Sequence, residues 1–187
     1  MKTFFITGFP RSRTAWLANF FTYGDSFCFH EALKYSNEMR DIKELFESTS
    51  KPYVGNSDSY IPFFAQRLNS LFPDAKWVFI ERDINDVTRS MQRIFPGYDH
   101  RKILNMSLPF LDFVKKEYSP LMVKYEHLDS MEECEKLWNY CIPTSAFDRQ
   151  RWKMLNMLKT EVIFNKTFYD PNYVENLNLL LKVRNKI

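Results

Sequence analysis

Short, nearly continuous apolar runs alternate along the chain with longer stretches whose apolar residues recur every three or four positions. The runs Thr3–Thr7, Ser26–His30, Pro52–Gly55, Lys76–Glu81 and Leu121–Tyr125 show little polar alternation, as strands buried on both faces do. Helical period predicts helices over Thr14–Tyr23, Glu38–Ser48, Ile61–Phe72, Asn85–Ile94 and Arg101–Lys116. Beyond the last strand it predicts three more, over Ser130–Tyr140, Phe147–Leu158 and Asn172–Arg184. Asp129-Ser130 ahead of Glu132 and Glu133 is a helix start, with a capping side chain and then acid in the first turn. Asp170-Pro171 opens the last helix in the same way. Strand and helix in alternation imply an α/β fold, three layers α/β/α around a mainly parallel sheet of about five strands. With no repeat, linker or Gly/Ser-rich segment, residues 1–187 read as a single domain.

Composition narrows the class. The chain is 45% hydrophobic and 26% charged with four glycines, which excludes a disordered, collagenous or low-complexity chain. A net charge of +3 calls for no nucleic-acid partner, although it leaves room for a local anion site. Three scattered cysteines, Cys28, Cys134 and Cys141, make neither a disulfide framework nor a zinc ribbon, and an odd count with no CxxC favours a reducing, cytoplasmic setting. The apolar start, Met1 to Thr7, is broken by Pro10, Arg11 and Arg13 too early for a signal peptide. No window reaches the length of a transmembrane helix.

Chemistry concentrates in Phe4-Phe5-Ile6-Thr7-Gly8-Phe9-Pro10-Arg11-Ser12-Arg13-Thr14-Ala15-Trp16-Leu17, a strand, a polar turn and a helix. Such a passage aims backbone N–H groups and a helix N-terminus beyond the sheet edge, where an anion binds. A nucleoside-triphosphatase P-loop laid on Gly8 needs glycine at Arg13, lysine at Thr14 and a hydroxyl at Ala15. All three fail, and Ala15 cannot hold Mg²⁺, so this is a phosphate loop without metal ligands. A second strand-to-helix passage runs from Lys76 to Ser90. Arg82 ends the strand and Ser90 lies in the second turn of the helix, so a guanidinium fork and a hydroxyl can grip one phosphate.

Pro10-Arg11-Ser12-Arg13-Thr14-Ala15-Trp16-Leu17 resembles the 5′-phosphosulfate loop of sulfotransferases, P-[KR]-S-G-T-T-W-L. Arg82, Asp83, Asp86 and Ser90 resemble their 3′-phosphate motif, R-[DN]-P-x-D-x-x-x-S, with Ile84 for the proline. Leu71-Phe72-Pro73-Asp74-Ala75-Lys76 and Val123-Lys124-Tyr125-Glu126-His127-Leu128 resemble two further segments of the family, in the same order. Arg13 replaces the loop glycine and Ala15 the second threonine. The late G-x-x-G-x-x-K run does not follow Leu158.

The resemblance implies a short member with a P-loop-type fold and 3′-phosphoadenosine 5′-phosphosulfate (PAPS) as donor, without a metal. Arg11, Ser12, Arg13, Thr14, Ala15 and Trp16 would hold the 5′ end of the donor, Trp16 stacking the adenine. Arg82 and Ser90 would hold the 3′-phosphate. Arg11 would also stabilise the leaving group, and a hydroxyl acceptor would lose its proton to a base. Glutamate-type relatives carry that base just after the second strand, which favours Glu31 over His30. Adjacent strand residues face opposite ways, so one of the two should enter the site. Asp58 and Ser59, after the third strand, are further candidates to touch the acceptor. His100 and His127 read as structural, Cys28 as a buried small hydrophobe, and Phe63, Phe64, Trp138 and Trp152 as core. The competing readings are a P-loop nucleotide kinase and a non-catalytic nucleotide-binding module on the same fold.

Overall fold

A computed structural model describes residues 1–35, 39–94 and 96–157. Its strands are β1 (Lys2–Gly8), β2 (Ser26–His30), β3 (Tyr53–Ser57), β4 (Lys76–Glu81) and β5 (Leu121–Lys124). They form one parallel sheet in the order β2-β3-β1-β4-β5. The helices are α1 (Thr14–Phe21), α2 (Met39–Ser48), α3 (Ile61–Leu71), α4 (Ile84–Ile94), α5 (His100–Tyr118), α6 (Met131–Cys141) and α7 (Arg149–Met157).

Strand geometry sends neighbouring side chains to opposite faces, and each face is covered. Phe5, Phe27, Phe29, Trp77 and Phe79 pack under α2, α3, α4 and α5, against Leu45, Phe46, Leu68, Val87 and Leu111. Phe4, Ile6, Cys28, Val78 and Ile80 pack under α1, α6 and α7, against Leu17, Phe21, Leu137, Trp138 and Leu155. Aromatic contacts dominate both layers: Phe21 lies stacked 5.7 Å from Trp138, and Phe29 stacked 5.5 Å from Phe46. Each fully buried Phe contributes about 1.5–3 kcal/mol of transfer free energy. Burial pushes all three thiols up, Cys134 to about 11, so they remain protonated and unreactive.

Close approach requires glycine at two places. A Cβ on Gly55 would stand 2.2 Å from the Phe4 ring, and one on Gly8 would stand 2.5 Å from the Ile80 carbonyl oxygen. Gly8 therefore lets the ends of β1 and β4 meet, which brings the two strand-to-helix passages side by side.

Several expectations need correction. β3 begins one residue late and runs on through Asn56 and Ser57, polar residues that looked like a strand end. Both are buried and paired on each side, Asn56 with Phe5 and Phe29, Ser57 with Ile6 and His30. Asn56 Oδ1 also accepts from the Ala32 N–H at 3.2 Å, which occupies its polar oxygen. β5 stops at Lys124, because Tyr125 opens a 3₁₀ turn. Phe63 is 43% exposed, facing Phe110 across α3 and α5 at 4.7 Å rather than the core. The capped start of α6 is as read, with Ser130 Oγ accepting from the Glu133 N–H at 3.4 Å. The helix expected over Asn172–Arg184 lies outside the described residues. No helix among the described residues is long and apolar enough to cross a membrane.

Candidate active site

The chain passes from β1 to β2 on one side of the sheet and from β3 to β4 on the other, so the order reverses at β1. Ligands of open α/β sheets bind beyond the strand C-termini at such a point. The turn after β1 is shaped by two left-handed residues, Arg11 with φ 66° and Arg13 with φ 61°. Between them Ser12 is fully buried, and its Oγ has no hydrogen-bond partner. α1 then begins with Leu17 N–H donating to the Arg13 carbonyl, and no side chain caps its N-terminus. The N–H groups of Thr14, Ala15 and Trp16 thus have no partner within the helix, and the positive end of its dipole points outward.

The second passage meets the first here. Arg11 Nε donates to Ser90 Oγ at 3.2 Å, across 79 positions of sequence. Arg82 Nη1 donates to the Arg11 carbonyl, and its guanidinium lies 3.9 Å from the centre of the Tyr125 ring. The Arg82 Nε is buried without a partner. Among the described residues neither arginine pairs with a carboxylate. Partial desolvation and, after it, the Arg82 cation lower the Arg11 pKa from its ordinary value. Two neighbouring cations, a serine hydroxyl without a partner and a helix N-terminus make a cradle with the chemistry to take an anion.

Arg13 and Trp16 sit otherwise than expected. The Arg13 side chain turns away from the cradle, and its Nη1 donates to Asp129 Oδ1 at 2.7 Å. In this arrangement Asp129, just ahead of α6, holds the Arg13 side chain that the resemblance assigned to the 5′ end of the donor. Its backbone explains why the family pattern has glycine there, since φ 61° strains any residue with a Cβ. Trp16 is 5% exposed, stacked on Phe20 at 5.0 Å with the Arg13 guanidinium 5.2 Å from its centre. It presents no open face to an adenine in this arrangement. Ala15, half-buried, contributes only its backbone.

The base candidates lie on the other side of the loop. His30 Nε2 and Thr14 Oγ1 share a hydrogen bond at 3.2 Å, and Glu31 Oε1 stands 3.8 Å from the same nitrogen. Strand alternation does not separate His30 from Glu31, for a local reason. Glu31 has φ 54°, which ends the strand alternation and brings its carboxylate round to the histidine. Its N–H donates to the Ser57 carbonyl at 3.2 Å. Asp58 does not reach the opening: it is fully buried, with Oδ1 accepting from the Tyr60 N–H at 2.7 Å. Desolvation raises its pKa to about 6, opposed by the Tyr60 N–H and reinforced by the Glu31 charge. Ser59 beside it is half-buried. His100 is a buried residue opening α5 and His127 an exposed one near Glu133.

Sequence reasoning passed over Tyr125 and Asp129. Tyr125 was legible only as part of a segment that resembles one of the family's and Asp129 as part of a helix start; nothing in their spacing marks them as partners of Arg82 and Arg13.

A family model described as a sulfotransferase domain matches residues 17–154, most of the chain. The chain belongs to the sulfotransferase family. The match starts just past the loop of Arg11 to Trp16, so that loop rests on its own residues and geometry, whereas Arg82 and Ser90 lie inside the match. Among solved structures, mouse sulfotransferase SULT7A1 complexed with PAP is 12% identical, with a TM-score of 0.60 over 99% of this chain and 85% of that one. Shikimate kinase from Bacteroides thetaiotaomicron is 16% identical, with a TM-score of 0.46 over 84% of this chain and 99% of that one. No curated protein sequence matches. This sulfotransferase thus has the family's parallel three-layer fold, with its polar loops gathered at the strand C-termini.

Proposed function

We propose that this sulfotransferase moves a sulfuryl group from 3′-phosphoadenosine 5′-phosphosulfate to a hydroxyl acceptor. The observation that carries the reading is the meeting of Arg11, Ser90 and Arg82 beside the helix N-terminus, with no carboxylate among the described residues to neutralise them. The buried Ser12 Oγ without a partner fits the same ligand, because a buried hydroxyl is costly unless something binds it.

When bound, the donor supplies an activated sulfuryl group whose leaving group is the 5′-phosphate. Ser12 Oγ and the N–H groups of Thr14, Ala15 and Trp16 hold that phosphate. Arg82 and Ser90 hold the 3′-phosphate. Arg11, reaching from the loop, stabilises charge on the leaving oxygen. Glu31 takes the acceptor proton as the new S–O bond forms and the bond to the 5′-phosphate breaks, its electron pair leaving with the phosphate. Thr14 holds His30, which stands beside the carboxylate and orients it. A second reading makes His30 the base, because its Nε2 lies within hydrogen-bond reach of Thr14 at the helix start. Alignment and preorganised positive charge supply most of the acceleration. The three buried cysteines, with no disulfide among the described residues, support a cytoplasmic setting.

Calorimetry tests the donor reading. Adenosine 3′,5′-bisphosphate should bind without Mg²⁺ and more tightly than Mg-ATP. Tighter binding of Mg-ATP would return the protein to nucleotide-kinase chemistry.

A further inference from the structure

We infer that the outer face of α5, with the first turns of α3, is the surface through which two copies of this chain pair about a two-fold axis. α5 buries Leu104, Leu111 and Val114 against the sheet. A second apolar stripe runs beside that one, through Ile103, Met106 and Phe110, and half-buried Phe113 continues it. Its spacing of three, four and three residues is that of a seam between two packed helices. The core does not call for it, because a helix lying on a sheet is satisfied by one stripe. Ile103 is 51% exposed and Met106 67%, and no element among the described residues covers them.

α3 widens the stripe into a patch. Phe63 lies 4.7 Å from Phe110 and 6.2 Å from Tyr60, and all three rings are exposed. Between the helices runs a groove of about 550 Å³, bordered by Phe63, Gln66, Arg67, Pro109, Phe110 and Phe113. At about 150–250 Å² for a large side chain, Tyr60, Phe63, Ile103, Met106 and Phe110 together leave roughly 400–600 Å² of apolar surface. That is at the upper end for a typical monomer, whose largest patch is about 300–600 Å². With the exposed polar rim of Gln66, Arg67, Asn105 and Asp112 it approaches the ~800 Å² that each partner of a stable pair buries.

A second copy suits this face because ridge and groove are made by the same residues. A two-fold axis through the middle of the stripe sets Met106 of each copy against Phe110 of the other, a contact that closes on itself. The rim holds a cation on α3, Arg67, and a carboxylate on α5, Asp112, so it carries charges of both signs for two copies to match. Pairing also leaves the candidate active site open. α5 starts just past β4, where Arg101 Nη1 donates to Asn85 Oδ1 at 2.7 Å, and it ends where β5 begins. Phe110 and Phe113 therefore lie toward the opposite edge of the sheet from the cradle.

Sedimentation of the full chain over a dilution series should show monomer and dimer in equilibrium. Phe110→Lys enters the contact twice and should raise the dimer Kd by at least about 100-fold, with circular dichroism unchanged. Introduced cysteines read the geometry directly, since the three native thiols are buried. Under mild oxidation a mixture of Met106→Cys and Phe110→Cys proteins should form the mixed disulfide faster than either protein forms its own. Should Phe110→Lys fail to fold, the cysteine pair decides alone. A wild type that stays monomeric at every soluble concentration refutes the inference. So does a dimer that Phe110→Lys leaves intact or that gives no mixed disulfide, because its contact lies elsewhere. A monomer that Phe110→Lys strongly destabilises to heat would assign the stripe to another segment of this chain, and the pairing would fall with it.

Discussion

Arg82→Ala isolates the 3′-phosphate from the rest of the donor. In the folded chain Arg82 makes one hydrogen bond to the Arg11 carbonyl, rests on Tyr125 and leaves its Nε buried without a partner. Truncation thus removes one internal hydrogen bond and one ring contact, but also relieves the cation beside Arg11, so folding stability should change little. The loss falls on the ligand. A charge-assisted hydrogen bond contributes about 1.5–3 kcal/mol, which converts to roughly a 10- to 150-fold rise in Kd. AMP has no 3′-phosphate and should be weakened by much less. Titration of adenosine 3′,5′-bisphosphate and AMP into both proteins reads the difference directly: the wild-type preference for the bisphosphate should nearly vanish in the variant. Equal weakening of both ligands would mean that Arg82 only braces the Arg11 loop, and its assignment to the 3′-phosphate would fall.

The base assignment predicts that Glu31→Gln lowers turnover by about 10²–10⁴-fold with donor binding nearly intact, while His30→Gln costs less; the reverse order in a labelled-donor assay would make His30 the base. Asp58 titrates at about 6 folded against an ordinary 3.8, so between those values the folded state binds more protons than the unfolded one. Stability from the neutral acid is present below the lower value and lost as pH rises through the upper one, a swing on the order of 3 kcal/mol. Asp58→Asn, which keeps the oxygen facing the Tyr60 N–H, should therefore gain on the wild type in urea melts at pH 7.5 but not at pH 3.5; an equal difference at both would refute the shift. Phe21→Ala empties a fully buried ring site between Phe4 and Trp138 and should cost about 3–5 kcal/mol in denaturant unfolding, with a loss below 1 kcal/mol contradicting that packing.

Much of the fold was legible because it is written in local, periodic signals. Apolar runs such as Phe27-Cys28-Phe29 and Trp77-Val78-Phe79-Ile80 can be satisfied only by burial on both faces, and that demand specifies parallel strands between helical layers. The gathering of the two strand-to-helix passages was legible for a related reason: Arg11 to Thr14 and Arg82 to Ser90 each follow a strand, and strands of such a sheet end on one edge. What no local pattern carries is the encounter between remote side chains. Ser90 receives Arg11 from 79 positions away, and Asp129 draws Arg13 across 116 positions, away from the phosphates its sequence context assigned to it. The left-handed turn at Glu31 is equally a matter of the folded chain: the predicted strand ends at His30, but no local pattern gives the next residue a φ of 54°. Composition and period determined which elements form and which edge gathers the cations. Tertiary packing decided which cation faces which partner, because a long side chain takes its direction from neighbours that only the folded chain supplies.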